Sequence, residues 1–330
     1  MTTLQGKVAL VAGATRGAGR GIARALGEAG AIVYCTGRSS RQGPVDSKRP
    51  ETIEETAELV TAAGGIGVAV QVDHTDETAV ETLIERMRTD HGKLDILIND
   101  IWGGDSLTDW GKTFWEVDVQ TGFKMMERAI HTHIITSRHG VPLMRQGQAG
   151  LIVELTDGAF YGYRGHLFYD LCKMSVIRLA YAMSVELADS PISAVAITPG
   201  FMRSESVLDH FGVTEDSWRD AIEKDPHFAH SETPLLVGRV IAALAADPAA
   251  GARSGQALTC WDLARHYDVT DADGSQPHWD EHLDAAVEKI LSSDSPSQDD
   301  ILLLTMRGPQ IDFDDSRADQ RARIEAFLSE

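Results

Sequence analysis

The chain has little cysteine, few basic residues and no long apolar run. Cys35, Cys172 and Cys260 are the only cysteines, an odd number set far apart with no CxxC spacing. That pattern excludes a disulfide framework and a cysteine-built zinc site. Lys and Arg number 30 against 50 Asp and Glu, a formal charge of −20, which argues against nucleic acid or an anionic membrane surface as partner. No stretch of 18 apolar residues occurs, so no membrane-spanning helix is expected. The start, MTTLQGKVALVAGA, lacks the charged and then apolar regions of a secretory leader, and a cytoplasmic protein is the expectation. Paired histidines at 131/133 and 227/230 lack a third ligand nearby, and DADG at 271–274 lacks the twelve-residue oxygen spacing of a calcium loop. No metal is therefore expected.

What the chain does have is 43% hydrophobic residues over 330 positions, enough for a large core, arranged in a regular alternation. Short Val- and Ile-rich runs at 7–14, 31–37, 66–73, 94–100, 150–156, 192–198 and 256–261 read as strands. Helical patterns separate them, at 19–31, 50–63, from Thr75 or Asp76 to 91, within 118–145, at 168–189 and at 233–246. Near-continuous apolar strands alternating with helices predict a Rossmann-type, doubly wound parallel α/β sheet with helices on both faces. We assign this domain to 1–261, with 201–232 as a lid over the site. Residues 262–330 carry 17 acidic against 6 basic residues and form an acidic C-terminal extension. Within it 279–291 is amphipathic and helical, 292–300 reads as linker, and 301–306 as an edge strand or docking segment. The extension is expected to pack on the domain or on a neighbouring subunit.

Two constellations carry chemistry. The first is VAGATRGAGRGIA at 11–23, which places Gly13, Thr15, Arg16, Gly17, Ala18 and Gly19 in the turn from the first strand to the first helix. A tight turn and a close backbone approach to a diphosphate both require the absence of Cβ, and the helix start offers free N–H groups. The second strand ends Cys35-Thr36-Gly37-Arg38 with no carboxylate to bind a ribose 2′-hydroxyl. Arg38, assisted by Arg16, suits a 2′-phosphate, so NADP(H) is favoured and NAD(H) stays open. Asp73 ends strand three, where it can meet an adenine amino group. Asn99 ends strand four, where it either lines the cleft or ties two strand ends together.

The second constellation is Tyr169 and Lys173, four apart on one helix face. A phenol with a pKa near 10 needs a nearby ammonium to exchange protons at neutral pH. Thr156, at the end of strand five, offers a hydroxyl to a substrate oxygen. Pocket walls are expected from Trp102, from Phe160 and Tyr163 between Thr156 and Tyr169, and from Phe201 and Met202 in the lid. Their apolar character suits a hydrophobic or cyclic carbonyl or secondary alcohol.

Over residues 5–261 these motifs resemble the classical short-chain dehydrogenases/reductases. The glycine turn resembles TGxxxGxG with Ala12 for Thr. Tyr169 and Lys173 match the YxxxK acid/base pair, Thr156 the position of the catalytic Ser, and Pro199-Gly200 the segment bordering the nicotinamide. DLARHYDVTDADG at 262–274 is similar to the region in the dehydrogenase/reductase member 1 subgroup and its bacterial relatives. The resemblance implies hydride transfer between nicotinamide and a small-molecule carbonyl or alcohol, with Tyr169 as proton donor and Lys173 also on the nicotinamide ribose. It further implies a homo-dimer or homo-tetramer joined through the helices at 118–145 and 168–189. The sequence departs from the family in reading Asn99-Asp100-Ile101-Trp102 for NNAG, Thr for Ser, and Ala129 where a mid-helix Asn is usual. These departures motivate the alternative of a catalytically weak dinucleotide-binding scaffold or sensor.

Overall fold

The computed structural model describes residues 3–43, 49–159, 162–292 and 303–305. Seven parallel strands form one sheet: β1 (Val8–Ala12), β2 (Ile32–Gly37), β3 (Ile66–Gln71), β4 (Ile96–Asn99), β5 (Gly150–Leu155), β6 (Ile192–Thr198) and β7 (Ala257–Thr259). Their spatial order is β3-β2-β1-β4-β5-β6-β7. The chain winds outward from β1 in one direction and restarts at β4 in the other, so a crevice opens between the C-terminal ends of β1 and β4. The register places Ala12 opposite both Thr36 and Asn99, and Asn99 opposite Glu154. One crevice therefore gathers the ends of four strands.

Helices α1 (Gly17–Glu28), α2 (Ile53–Ala62), α3 (Glu77–His91), α4 (Val119–Met126), α5 (Thr132–Met144) and α6 (Leu167–Glu186) follow the sheet. A π-turn over Glu127–His131 joins α4 to α5. Beyond β6 come α7 (Glu205–Phe211), α8 (Pro234–Ala246), α9 (Cys260–Tyr267) and α10 (Trp279–Leu291). Two buried clusters cover opposite faces of the sheet. One joins Val11, Val33, Ile98 and Val153 to α1 and α8; the other joins Leu10, Tyr34, Leu97 and Ile152 to α3 and α5. Glycines let α1 and α8 touch along their backbones. A Cβ at Gly21 would lie 2.1 Å from the Pro234 carbonyl oxygen, and one at Gly238 2.6 Å from the Gly21 oxygen.

Several boundaries differ from the sequence reading. Helix α2 begins at Ile53 rather than Pro50, because Thr52 and Glu55 form a reciprocal capping box. The last strand ends at Thr259, whose side chain caps α9 at Asp262 N. The division placed at 261 falls inside α9, and Leu263 and Ala264 of that helix belong to the main core. Residues 303–305 are helical, so the edge strand considered for 301–306 is absent there; the rest of that segment lies outside the described residues.

The 201–232 segment, read from the sequence as a lid, is joined at its base by a parallel bridge between Met202 and Glu232. Trp218, Ala221 and Phe228 form its own small core. Helix α10 lies against it: the Trp279 ring is 5.7 Å from Phe201, and His282 bonds His227 at 2.8 Å and stacks on His230 at 3.9 Å. The carbonyl of Thr305 accepts the Tyr163 N–H at 2.9 Å, so part of the extension returns to the loop before α6.

Candidate active site

The glycine turn is built by steric exclusion. A Cβ on Gly13, at φ +96, would stand 2.3 Å from the Asp100 carbonyl oxygen, and one on Gly19 would stand 2.4 Å from the Gly13 oxygen. β1, α1 and the end of β4 can approach this closely only without side chains at these positions. Gly17, at φ +58, opens α1, and its N–H donates to the Glu205 carboxylate at 2.8 Å. This helix terminus thus already holds an anionic group, as its free N–H groups and dipole favour. The glycine cradle and its anion site fit a dinucleotide diphosphate, which would replace the carboxylate of Glu205. Ala18 is buried in the main core beside them. The buried Thr15 hydroxyl would lie 2.5 Å from a Cβ on Gly37, which packs the turn against the end of β2.

The residues expected around the adenosine half are less uniform. Arg38 follows β2, with its guanidinium 3.4 Å from where a Gly103 Cβ would stand. Arg16 lies 3.9 Å from Glu51, an acidic neighbour. Asp73 accepts both the N–H and the hydroxyl of Thr75, at 3.0 and 2.7 Å. Burial would raise its carboxyl, but those bonds outweigh it and hold it below the usual range. Asn99 ties the end of β4 to β5. It is fully buried, and its amide donates to Ser137 at 2.9 Å and to Glu154 at 2.7 Å. Of its two sequence readings, the tie between strand ends is the one seen.

Behind the crevice runs a buried polar chain that the sequence did not signal. Glu154 meets His133 Nδ1 at 2.5 Å, and His133 Nε2 lies 2.9 Å from the Ile101 carbonyl. With Nε2–H given to that carbonyl, a single proton lies between His133 and Glu154. His133 therefore serves Glu154 rather than the place of the missing helix Asn. That place, Ala129, is buried in the π-turn among Met125, Phe168 and Cys172. A second chain links Thr36, His74 and Thr136 through bonds of 2.8 Å on both ring nitrogens.

At the phenol the structure brings in Asp157, a residue the sequence reading did not name. The Tyr169 hydroxyl donates to Asp157 Oδ2 at 2.7 Å, and Asp157 Oδ1 is paired with Arg164. Thr156, expected to present a hydroxyl to substrate, instead donates to the Lys173 carbonyl at 2.7 Å. Thr156 follows β5 and its N–H still donates to the Ile197 carbonyl at 3.0 Å. Burial first, and then the Asp157 carboxylate, push the phenol well above its ordinary value. Burial would raise Asp157 as well, but Arg164, the Tyr169 bond and Lys173 hold it below the usual carboxylate range.

Aromatic rings wall this spot. Trp102 stands edge-on to Tyr169 at 5.1 Å, and Trp110 lies 5.0 Å away. The Lys173 ammonium sits 4.5 Å over the Trp102 ring and 5.5 Å from the Tyr169 ring. Asp100, which accepts from Gly19, is pushed up to about 7 by burial, against the pull of Lys173. Tyr163 is exposed. Phe201 packs on Phe228 at 5.3 Å and Met202 is in the lid bridge; the contacts seen for these two belong to the lid. Phe160 lies outside the described residues. Pro199 accepts from the Thr198 hydroxyl, and Gly200 lies against buried Glu232, whose carboxyl burial lifts to about 8. Among the described residues no cluster of three His, Cys, Asp or Glu suits a metal, and no helix is long and apolar enough to cross a membrane.

Known proteins resemble this chain in sequence and in fold. The family profile described as short chain dehydrogenase matches residues 7–210. The chain is 34% identical over 276 residues to dehydrogenase/reductase SDR family member 1 of Mus musculus, covering 82% of this chain and 85% of that one. It is 26% identical over 222 residues to 7alpha-hydroxysteroid dehydrogenase of Clostridium sardiniense, covering 67% and 79%. The crystal structure of a short chain dehydrogenase from Mycobacterium thermoresistibile superposes with a TM-score of 0.69 over 84% of this chain and 92% of that one; at 22% identity this likeness is one of fold.

The His74 chain makes a prediction about acid stability. Burial, then His133, lower the imidazole from 6.5 to about 3, so below pH 6.5 the unfolded chain takes up a proton that the folded one refuses. Stability from this group is full above that pH and falls by roughly 1.4 kcal/mol per pH unit as the pH drops toward the folded value. Denaturant unfolding at pH 7.5 and 5 should show a smaller loss in His74→Gln than in the parent. Equal losses would remove His74 as the cause.

Proposed function

The chain belongs to the short-chain dehydrogenase/reductase family and is an oxidoreductase acting on CH–OH or C=O groups; we propose that it uses NADP(H) and takes an apolar or cyclic carbonyl or secondary alcohol. The observation that carries the reading is the convergence of the Tyr169–Lys173 pair and the glycine cradle on one crevice at the C-terminal edge of the sheet. When bound, the nicotinamide supplies hydride exchange at its ring carbon. Tyr169 exchanges a proton with the substrate oxygen. Lys173 supplies the nearby positive charge and, turned from Trp102, reaches the ribose hydroxyls. Gly13, Gly17 and Gly19, with Thr15 and Ala18, take the diphosphate. Asp73 borders the adenine. Pro199 and Gly200 border the nicotinamide.

NADP(H) is supported by Arg38 at an end of β2 that carries no Asp or Glu. A planar guanidinium matches a 2′-phosphate in charge and geometry. The apolar substrate is supported by Trp102 and Trp110 at the phenol, and by the hydroxysteroid named for one relative. A homo-dimer or homo-tetramer is supported by an apolar face beside α4, where Phe114 is 60% exposed, Trp115 71% and Phe123 53%.

Tyr169→Phe should abolish turnover with a panel of cyclic ketones while NADPH affinity stays within about twofold; retained turnover would remove Tyr169 from the reaction. Arg38→Leu should weaken NADPH binding by roughly 10- to 100-fold, the worth of a charge-assisted bond, and leave NADH nearly unchanged. A parent protein that binds NADH as tightly as NADPH would overturn the cofactor choice. Light scattering should give twice or four times the chain mass, falling when Trp115 and Phe123 are both replaced by Glu. A monomeric parent would refute the assembly.

A further inference from the structure

The hydroxyl of Tyr169 has one proton, and the structure commits it to Asp157 rather than leaving it for a substrate. The bond is 2.7 Å, and the carboxylate is fixed on its other oxygen by Arg164, which is itself tied through its N–H to Asp170 at 2.9 Å. The charged groups facing this pair favour that state on balance, with burial and the Asp157 carboxylate outweighing the pull of Arg164 on the phenol. Arg164 and Lys173 stabilise the carboxylate, while Asp105, held on the Trp102 indole N–H, adds negative charge near the phenol. An ionised carboxylate is a far better acceptor for a phenol than a neutral ketone oxygen. A carbonyl arriving here competes for a proton already bound to a stronger partner. An alcohol does not: its hydroxyl can donate to the free lone pair of the Tyr169 oxygen.

We propose that Asp157 is the proton partner of Tyr169, and that the pair is set for oxidation of an alcohol. The proposal rests on the reading of Tyr169 given above. As the alcohol carbon gives up hydrogen with its electron pair to the oxidised dinucleotide, the alcohol O–H bond breaks and its proton passes to the Tyr169 oxygen. The proton of Tyr169 passes in the same event to Asp157, and a ketone is left. Asp157 reaches the solvent side of the cleft, with a third of its side-chain surface exposed, and returns the proton to water. Ketone reduction runs the same path backward and needs Asp157 protonated, so it gains as pH falls. Asp157 is a positioning residue that acts through the phenol, and Arg164 holds it.

The test is an alkaline titration of tyrosinate absorbance on the full chain, comparing the parent with Asp157→Asn, Tyr169→Phe and the double variant. Six tyrosines are present. The expected result is one tyrosinate that forms at lower pH in Asp157→Asn than in the parent and is missing from the double variant. Superimposable titrations of parent and Asp157→Asn, or a shift that persists in the double variant, would overturn the proposal. If Asp157→Asn does not fold, Asp157→Ser replaces it, with NADPH binding as the check of folding. With cyclohexanol and cyclohexanone as probes, Asp157→Asn should lower the oxidation kcat/KM about 100-fold and flatten the pH dependence of reduction. An unchanged oxidation profile would count against the proposal. Failure of the Tyr169→Phe prediction with an intact tyrosinate shift would sink the enzymatic reading of Tyr169, and the reverse outcome would sink only the role of Asp157.

Discussion

Glu154 is a carboxylic side chain with no solvent exposure on a central parallel strand, and the geometry of the crevice depends on how it is satisfied. Its two oxygens reach Asn99 at the end of β4 and His133 on α5, and His133 continues to the Ile101 carbonyl in the chain leading to Trp102. One buried group thereby sets β4, β5, α5 and the loop that carries the aromatic wall. Leaving such a group without a partner costs several kcal/mol, so these elements are held together or released together. The π-turn just before α5 allows the helix to bring His133 inward while Ala129 packs among apolar side chains.

On this frame the crevice divides into two chemically different halves. At the glycine turn, backbone N–H groups and absent Cβ atoms make a site for negative charge, presently engaged by Glu205 from the lid. At the phenol, Asp157, Arg164 and Lys173 surround one hydroxyl inside a wall of tryptophans. The lid joins the halves: α7 touches the glycine turn, while its opposite end is held by α10 through Trp279 and His282. Burial, followed by His230 and His227, lowers the His282 imidazole to about 4, so His282 is neutral at physiological pH. The acidic extension is thus a structural support of the lid over the part that is described.

Most of the architecture was legible because parallel strands buried on both faces must be apolar throughout, and seven such runs are hard to miss. The cradle was legible because glycine is required where two backbones meet, as Gly13 and Gly19 show. Tyr169 and Lys173 were legible from helical spacing. What escaped turns on one-residue choices. Counting back from Tyr169 selects Thr156, yet its hydroxyl is taken by the Lys173 carbonyl, and Asp157, one residue on, is the one that meets the phenol. Helix α9 was hidden because its apolar Cys260 and Trp261 continue β7 without a break. The Glu154–His133 pair was hidden because its members are 21 residues apart and join only through the packing of α5.

A crystal structure with NADP bound at neutral pH is the most direct measurement of the account. It should place the reactive nicotinamide carbon facing the Tyr169 hydroxyl, with the diphosphate on the Gly17 N–H in place of Glu205 and the Lys173 ammonium on the ribose. A dinucleotide seated elsewhere, or a Tyr169 hydroxyl turned away from the ring, would contradict the assignment of this crevice as the site of hydride transfer.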